Sequence, residues 1–167
     1  MRTRTFAAVF LVVLVAVVLQ TTLFGRVRII TPDLVLLVSI LFALTRIRPE
    51  LVLGIAFSSG LVIDLLGSSL LGLRAIVFTA AAFMAVRTRD RADIGRIATA
   101  IWAGVISLVG VALLVLVATL FGQSSILGEN VFSRIISVPV ANILVAFVIA
   151  PMLVRMVDHD PAALRYL

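Results

Sequence analysis

The stretch Gly60-Leu61-Val62-Ile63-Asp64-Leu65-Leu66-Gly67-Ser68-Ser69-Leu70-Leu71-Gly72-Leu73-Arg74 places one acid and one base inside two apolar runs. Gly60, Asp64 and Gly67 are spaced at i, i+4 and i+7, so they share one face of a helix. Small residues on that face allow another helix to approach closely. Asp64 is therefore predicted to face protein and not lipid.

The two apolar runs are joined by a short predicted turn, with Gly67 and Gly72 as its expected turn residues. Folding the chain there brings Arg74 near Asp64. An acid near a helix C-terminus and a cation near a helix N-terminus are both disfavoured by the helix macrodipole, so each is better placed beside the other. We expect a buried structural ion pair between Asp64 and Arg74.

Composition indicates a membrane protein, because 63% of the 167 residues are hydrophobic, 13% are charged, and the mean hydropathy is +1.29. Too little polar surface remains to coat a water-soluble globule. The sequence predicts an all-α polytopic membrane protein with a single integral membrane domain, 1–167, and six transmembrane helices. The predicted helices are about 6–24, 34–45, 51–66, 70–86, 97–121 and 131–154. The first run is too long for a signal-peptide core, so an uncleaved span is favoured.

The second predicted helix is unusually short. Leu34 to Leu44 is an apolar run of 11 residues, which spans about 16 Å against a hydrocarbon core of about 30 Å. Asp33 precedes it and is expected to cap its free amides, which is worth about 0.5–2 kcal/mol. Segments 34–66 either span fully or form a re-entrant hairpin, and the sequence leaves both open.

The third predicted helix carries Gly54, Ser58 and Gly60, which we expect on an open surface. Beside a short second helix, such a surface forms a shallow apolar groove that lipid chains pack poorly and another helix packs well. The sixth helix contains Pro139, which is expected to kink it. Asn142 is expected to bond either a freed carbonyl or a neighbouring helix.

The distribution of arginines predicts both termini in the cytoplasm, because cytoplasmic loops are enriched in basic residues. With six spans, ten arginines fall inside and four outside. The inside set is Arg2, Arg4, Arg46, Arg48, Arg87, Arg89, Arg91, Arg96, Arg155 and Arg165, and the outside set is Arg26, Arg28, Arg74 and Arg134. Because they lie scattered in short loops, we interpret them as topology signals and expect no nucleic-acid partner.

Catalytic chemistry is not apparent. The chain has no cysteine, and its one histidine, His159, lies in the polar tail, where a solvated residue is expected. Intramembrane catalysis requires a nucleophile with a base, or clustered metal ligands. We predict no enzyme activity, no catalytic or metal residues and no cofactor.

Several short motifs resemble the bacterial rod shape-determining protein MreD family. They are Pro32-Asp33-Leu34, Gly60-x-x-x-Asp64-Leu65-Leu66-Gly67-Ser68 and Leu71-Gly72-Leu73. The resemblance implies an inner-membrane subunit of the cell-elongation machinery that works with the bitopic protein MreC, the actin-like MreB, and the RodA glycosyltransferase with its penicillin-binding transpeptidase. It also implies a fold similar to the substrate-binding subunits of energy-coupling-factor transporters.

The alternative function is a vitamin-binding transporter subunit, which is similar in size and helix number. The first helix lacks the Ala-x-x-x-Ala spacing by which such subunits typically dock on their energising partner. The outer loops and sixth helix are also poor in the polar and aromatic groups that a vitamin pocket requires. An orphan structural membrane protein is a third class that the sequence leaves open, as it does the formation of a homo-oligomer.

Overall fold

The computed structural model describes residues 3–24, 32–45, 47–67, 70–92, 95–123 and 131–158. Within these ranges the protein is entirely helical. The helices are α1 (Thr3–Leu19), which continues as a π-helical segment (Gln20–Phe24), α2 (Leu34–Leu44), α3 (Pro49–Leu66), α4 (Leu73–Ala92), α5 (Arg96–Leu120) and α6 (Val131–Asp158). Ser68, His159 and most of the predicted outer loop before α6 lie outside the described residues.

The short helix α2 occupies the centre of the bundle. It packs against all five other helices, and every residue from Leu34 to Ala43 is buried. The helices α3, α4, α5 and α6 pack successively against one another around it, and α1 lies on α2 and touches α3. An 11-residue helix is tolerated here because protein, and not lipid, surrounds it.

The central position of α2 corrects one sequence expectation. We expected α2 to line a shallow open groove together with α3, because its length falls short of the bilayer. Since its side chains are covered on all sides, α2 offers no surface to a partner. An open surface in this region belongs to α3 alone.

Among the residues that the structure describes, three helices are long and apolar enough to cross a membrane: Pro49–Leu66, Arg96–Leu120 and Val131–Leu153. The apolar parts of α1 and α2, Ala7–Thr22 and Leu34–Leu44, are shorter. The fourth predicted helix differs most from its predicted range of 70–86. It begins later, because Leu71 and Gly72 form a turn, and it extends into the charged residues 87–92.

The α6 helix contains two prolines and remains helical across both. Pro151 has no N–H to donate to the carbonyl of Phe147, four residues earlier. Nε and Nη2 of Arg96 both donate to that carbonyl oxygen, each at 3.2 Å. Asn142 instead bonds the neighbouring helix, since its Nδ2 donates to the Ser107 hydroxyl of α5 at 2.6 Å.

A buried charge cluster at one end of the bundle

Four polar side chains meet where α1 and α3 end and where α2 and α4 begin. They are Gln20, Asp33, Asp64 and Arg74, and we call them the charge cluster. Each comes from a different part of the chain. Because these four helix ends lie together, the cluster joins α1, α2, α3 and α4 at one end of the bundle.

Asp64 is the most deeply buried member, and its side chain has no solvent exposure. Its Oδ2 accepts a hydrogen bond from the backbone N–H of Arg74 at 2.9 Å. Its Oδ1 lies 3.9 Å from Nε of Arg74, which is an electrostatic contact and too long for a hydrogen bond. The two residues predicted as an ion pair therefore lie together, and the shorter contact is to the backbone amide at the start of α4.

Asp33 lies on the other side of Arg74. Its Oδ1 accepts from the backbone N–H of Leu36 at 3.1 Å, which is the geometry of a helix N-cap. Its Oδ2 lies 3.7 Å from Nη1 of Arg74. The guanidinium thus lies between two carboxylates, one from the start of α2 and one from the end of α3. The contact between Asp33 and Arg74 was not predicted from the spacing of residues in the sequence.

Gln20 supplies a second cap for α2 that sequence reasoning missed. Its Oε1 accepts from the backbone N–H of Leu34 at 2.8 Å. The residue opens the π-helical segment at the end of α1, and such local widening of a helix often occurs at functional positions. The available signal was weak: Gln20 is the first polar residue to interrupt the apolar run of the first helix.

The carboxylates of the cluster are contacted by one guanidinium and by two helix N-termini. Two carboxylates face one guanidinium, which leaves one negative charge. The N-termini of α2 and α4 point at these carboxylates through the amides of Leu36 and Arg74, and each helix N-terminus carries about half a positive charge. Among the described residues, no three His, Cys, Asp or Glu side chains are grouped as a metal site requires. The arrangement is suited to holding helices together.

The two predicted turn glycines differ in what they require. Gly72 has a φ of +91°, a conformation that favours glycine. Gly67 caps the end of α3, donates its N–H to the carbonyl of Ile63 at 3.0 Å, and has a φ of −98° that other residues also adopt. Only Gly72 is constrained by its backbone.

The three residues predicted to line the partner groove fall on different sides of α3. Gly54 and Ser58 are exposed, and a Cβ placed on Gly54 meets no atom within 4 Å. Gly60 is buried against α4, where an added Cβ would lie 2.6 Å from the Cα of Ala75. The prediction that Gly60 shares the open surface is wrong, because α4 covers it.

Replacing Asp33 with alanine should lower the free energy of unfolding by about 0.5–2 kcal/mol, since the N-cap hydrogen bond to Leu36 is lost. Asp33→Asn should cost less, because an amide oxygen also caps a helix. Thermal unfolding in detergent measures both. Asp90→Ala serves as the control, since Asp90 is exposed near the end of α4. Equal effects at the two aspartates would contradict the cap.

The fold and this cluster define a small helical membrane protein whose buried polar groups join helix ends. More particularly, the chain belongs to the MreD family, because the family model described as rod shape-determining protein MreD matches residues 1–158. The resemblance seen in the sequence motifs is thereby confirmed. No curated protein and no solved structure matches the chain, so the likeness to energy-coupling-factor subunits stays a prediction. As a member of this family, the chain is a membrane protein that determines rod shape.

Proposed function

We propose that the protein is a non-catalytic inner-membrane subunit of the bacterial cell-elongation complex and acts by binding the transmembrane helix of MreC. Through that contact it supports peptidoglycan synthesis by RodA and a penicillin-binding transpeptidase, with MreB reached indirectly. The proposed topology has six spans and cytoplasmic termini. Membership of the MreD family supports the assignment to this machinery.

The main support for a helix-binding role is the open face of α3. Gly54 and Ser58 are four residues apart and both exposed, and Val62 and Leu65 continue the same face toward the end of the helix. We call these four residues the α3 face. This face is mostly apolar, and the small residues Gly54 and Ser58 at one end allow close approach by the backbone of another helix.

The charge cluster supports an apolar mode of binding. Its two carboxylates are already engaged by Arg74 and by helix N-termini. A partner helix docking on the α3 face would therefore gain van der Waals contact and need no charge of its own. Association of membrane helices commonly depends on such packing of small residues.

Replacing Gly54 with leucine should abolish recovery of MreC with the tagged protein, because the side chain would hold the partner helix away from the α3 face. Ala112→Leu is the matched control, since Ala112 is also a small exposed residue but lies on α5. Co-purification from membranes and measurement of cell shape give the readouts. We expect rounded cells for Gly54→Leu and rods for Ala112→Leu, at equal protein level.

A photocrosslinker placed at Ser58 should capture the transmembrane helix of MreC, whereas one at Leu144 on α6 should not. Both positions are exposed, so the comparison tests which face binds. Capture from Leu144 with none from Ser58 would move the interface to α6 and overturn the proposal for α3.

A further inference from the structure

Arg96 is held in place at one end of the bundle in an unusual way. It is the first residue of the α5 candidate span, so it lies where that span meets the headgroup layer. Its Nε and Nη2 both donate to the carbonyl of Phe147, which Pro151 leaves without its helical donor. Its guanidinium also lies 4.8 Å from the ring centroid of Phe147. These contacts fix the orientation of an exposed arginine.

The guanidinium of Arg96 still has N–H groups that can donate hydrogen bonds to a ligand. A guanidinium has five N–H groups, and the two bonds to Phe147 use two of them. Neither a carbonyl nor a ring neutralises its charge. Among the described residues, no carboxylate lies within ion-pair distance of Arg96. The remaining N–H groups form a planar fork, which is the geometry that binds a phosphate with two hydrogen bonds.

Phe147 adds an apolar contact directly beside this charge. Its side chain is 44% exposed, and Leu144 and Val148 on the same stretch of α6 are 68% and 67% exposed. An acyl chain can therefore lie along α6 while the headgroup of the same molecule reaches Arg96. The guanidinium matches the anionic headgroup of a phospholipid, and the exposed apolar strip on α6 matches its acyl chain. A free anion would contact only the guanidinium.

We propose that Arg96 and Phe147 form a binding site for an anionic phospholipid, with the phosphate on the Arg96 guanidinium and an acyl chain along α6. The carbonyl freed by Pro151 prepares the site, because it orients the guanidinium before the lipid arrives. The arginine needs little further ordering on binding, which lowers the cost of association.

Titration of the detergent-purified protein with phosphatidylglycerol, followed by native mass spectrometry, tests the site. We expect phosphatidylglycerol to bind more tightly than phosphatidylcholine, and Arg96→Gln to weaken its binding about fivefold, which corresponds to the contribution of one arginine near an anionic membrane surface. Arg134→Gln removes another exposed arginine, near the start of α6, and should leave binding unchanged. Equal losses in both variants would overturn the proposal.

A second experiment, in a protein that carries Pro151→Ala, separates lipid binding from the structural role of Arg96. Pro151→Ala returns an N–H to the Phe147 carbonyl, so Arg96 is no longer needed there. In that background phosphatidylglycerol should still raise the melting temperature, but by less than in the parent, because the guanidinium is no longer oriented in advance. Adding Arg96→Gln should remove this rise and leave the melting temperature in phosphatidylcholine unchanged. Retained stabilisation would overturn the site. Inorganic phosphate at the same concentration should not stabilise the protein, and an equal effect of phosphate would show that a free anion, and not a lipid, is the ligand.

Discussion

Replacing Gly60 with alanine should sharply lower the melting temperature and the recovery of folded protein, whereas the same change at Gly54 should not. A Cβ at position 60 would lie 2.6 Å from the Cα and 2.7 Å from the N of Ala75, and 2.7 Å from the carbonyl oxygen of Arg74. These are backbone atoms of α4 and cannot rotate away. The two helices must separate, which also draws the Arg74 amide away from Asp64.

Adding a methyl group to a well-packed interior typically costs about 1–3 kcal/mol. We expect Gly60→Ala to lower the free energy of unfolding by at least this much. Gly54→Ala is the matched control, because it makes the same change in the same helix where a Cβ meets nothing within 4 Å. Alanine favours a helix over glycine by about 1 kcal/mol, so this variant should be at least as stable as the parent. Size-exclusion profile and melting temperature in detergent give the comparison. Equal melting temperatures for the two variants would contradict the close contact of α3 with α4.

Replacing Arg74 with leucine should be the most damaging single change in the charge cluster. It leaves the carboxylates of Asp33 and Asp64 near each other without the guanidinium that lies between them. Removing one partner of a buried pair typically costs about 3–5 kcal/mol, because a charge is left buried and uncompensated.

Adding Asp64→Leu to Arg74→Leu should restore part of the lost stability, since the buried carboxylate is then removed as well. Recovery is incomplete, because the backbone amide at position 74 loses its acceptor. The loss should be far smaller for Arg134→Leu, which removes an exposed arginine. The free energy of unfolding, measured in a detergent and denaturant series, tests the set. If the double variant is as unstable as the sum of the single changes, the coupling between Asp64 and Arg74 is absent.

The sequence was most informative where contacts are close along the chain. The spacing of Gly60 and Asp64 predicted a protein-facing side, where both are buried, and a short turn placed Arg74 nearby. Gly67, predicted on the same side, is exposed. The same geometry could have corrected the groove prediction. At about 100° per residue, Gly60 lies about 200° around the helix from Ser58, so the two cannot share one open face.

Contacts between distant parts of the chain could not be predicted in this way. Gln20 caps a helix 14 residues later, and Arg96 bonds a carbonyl 51 residues later. Both depend on which helices are neighbours, which no local periodicity specifies. The central position of α2 could not be predicted for the same reason, because its sequence is apolar on every side apart from Ser39 and fits either a core helix or a lipid-facing one.

The buried α2 helix has a consequence for the order in which this protein is assembled. A chain is synthesised from its N-terminus, so α2 leaves the ribosome before α3, α4, α5 and α6, which cover most of its surface. With an apolar length of about 16 Å, α2 cannot cross the bilayer by itself before the later helices have been synthesised. Stable placement of α2 must therefore follow the insertion of the later helices, so the middle of the bundle is completed last although it is encoded early.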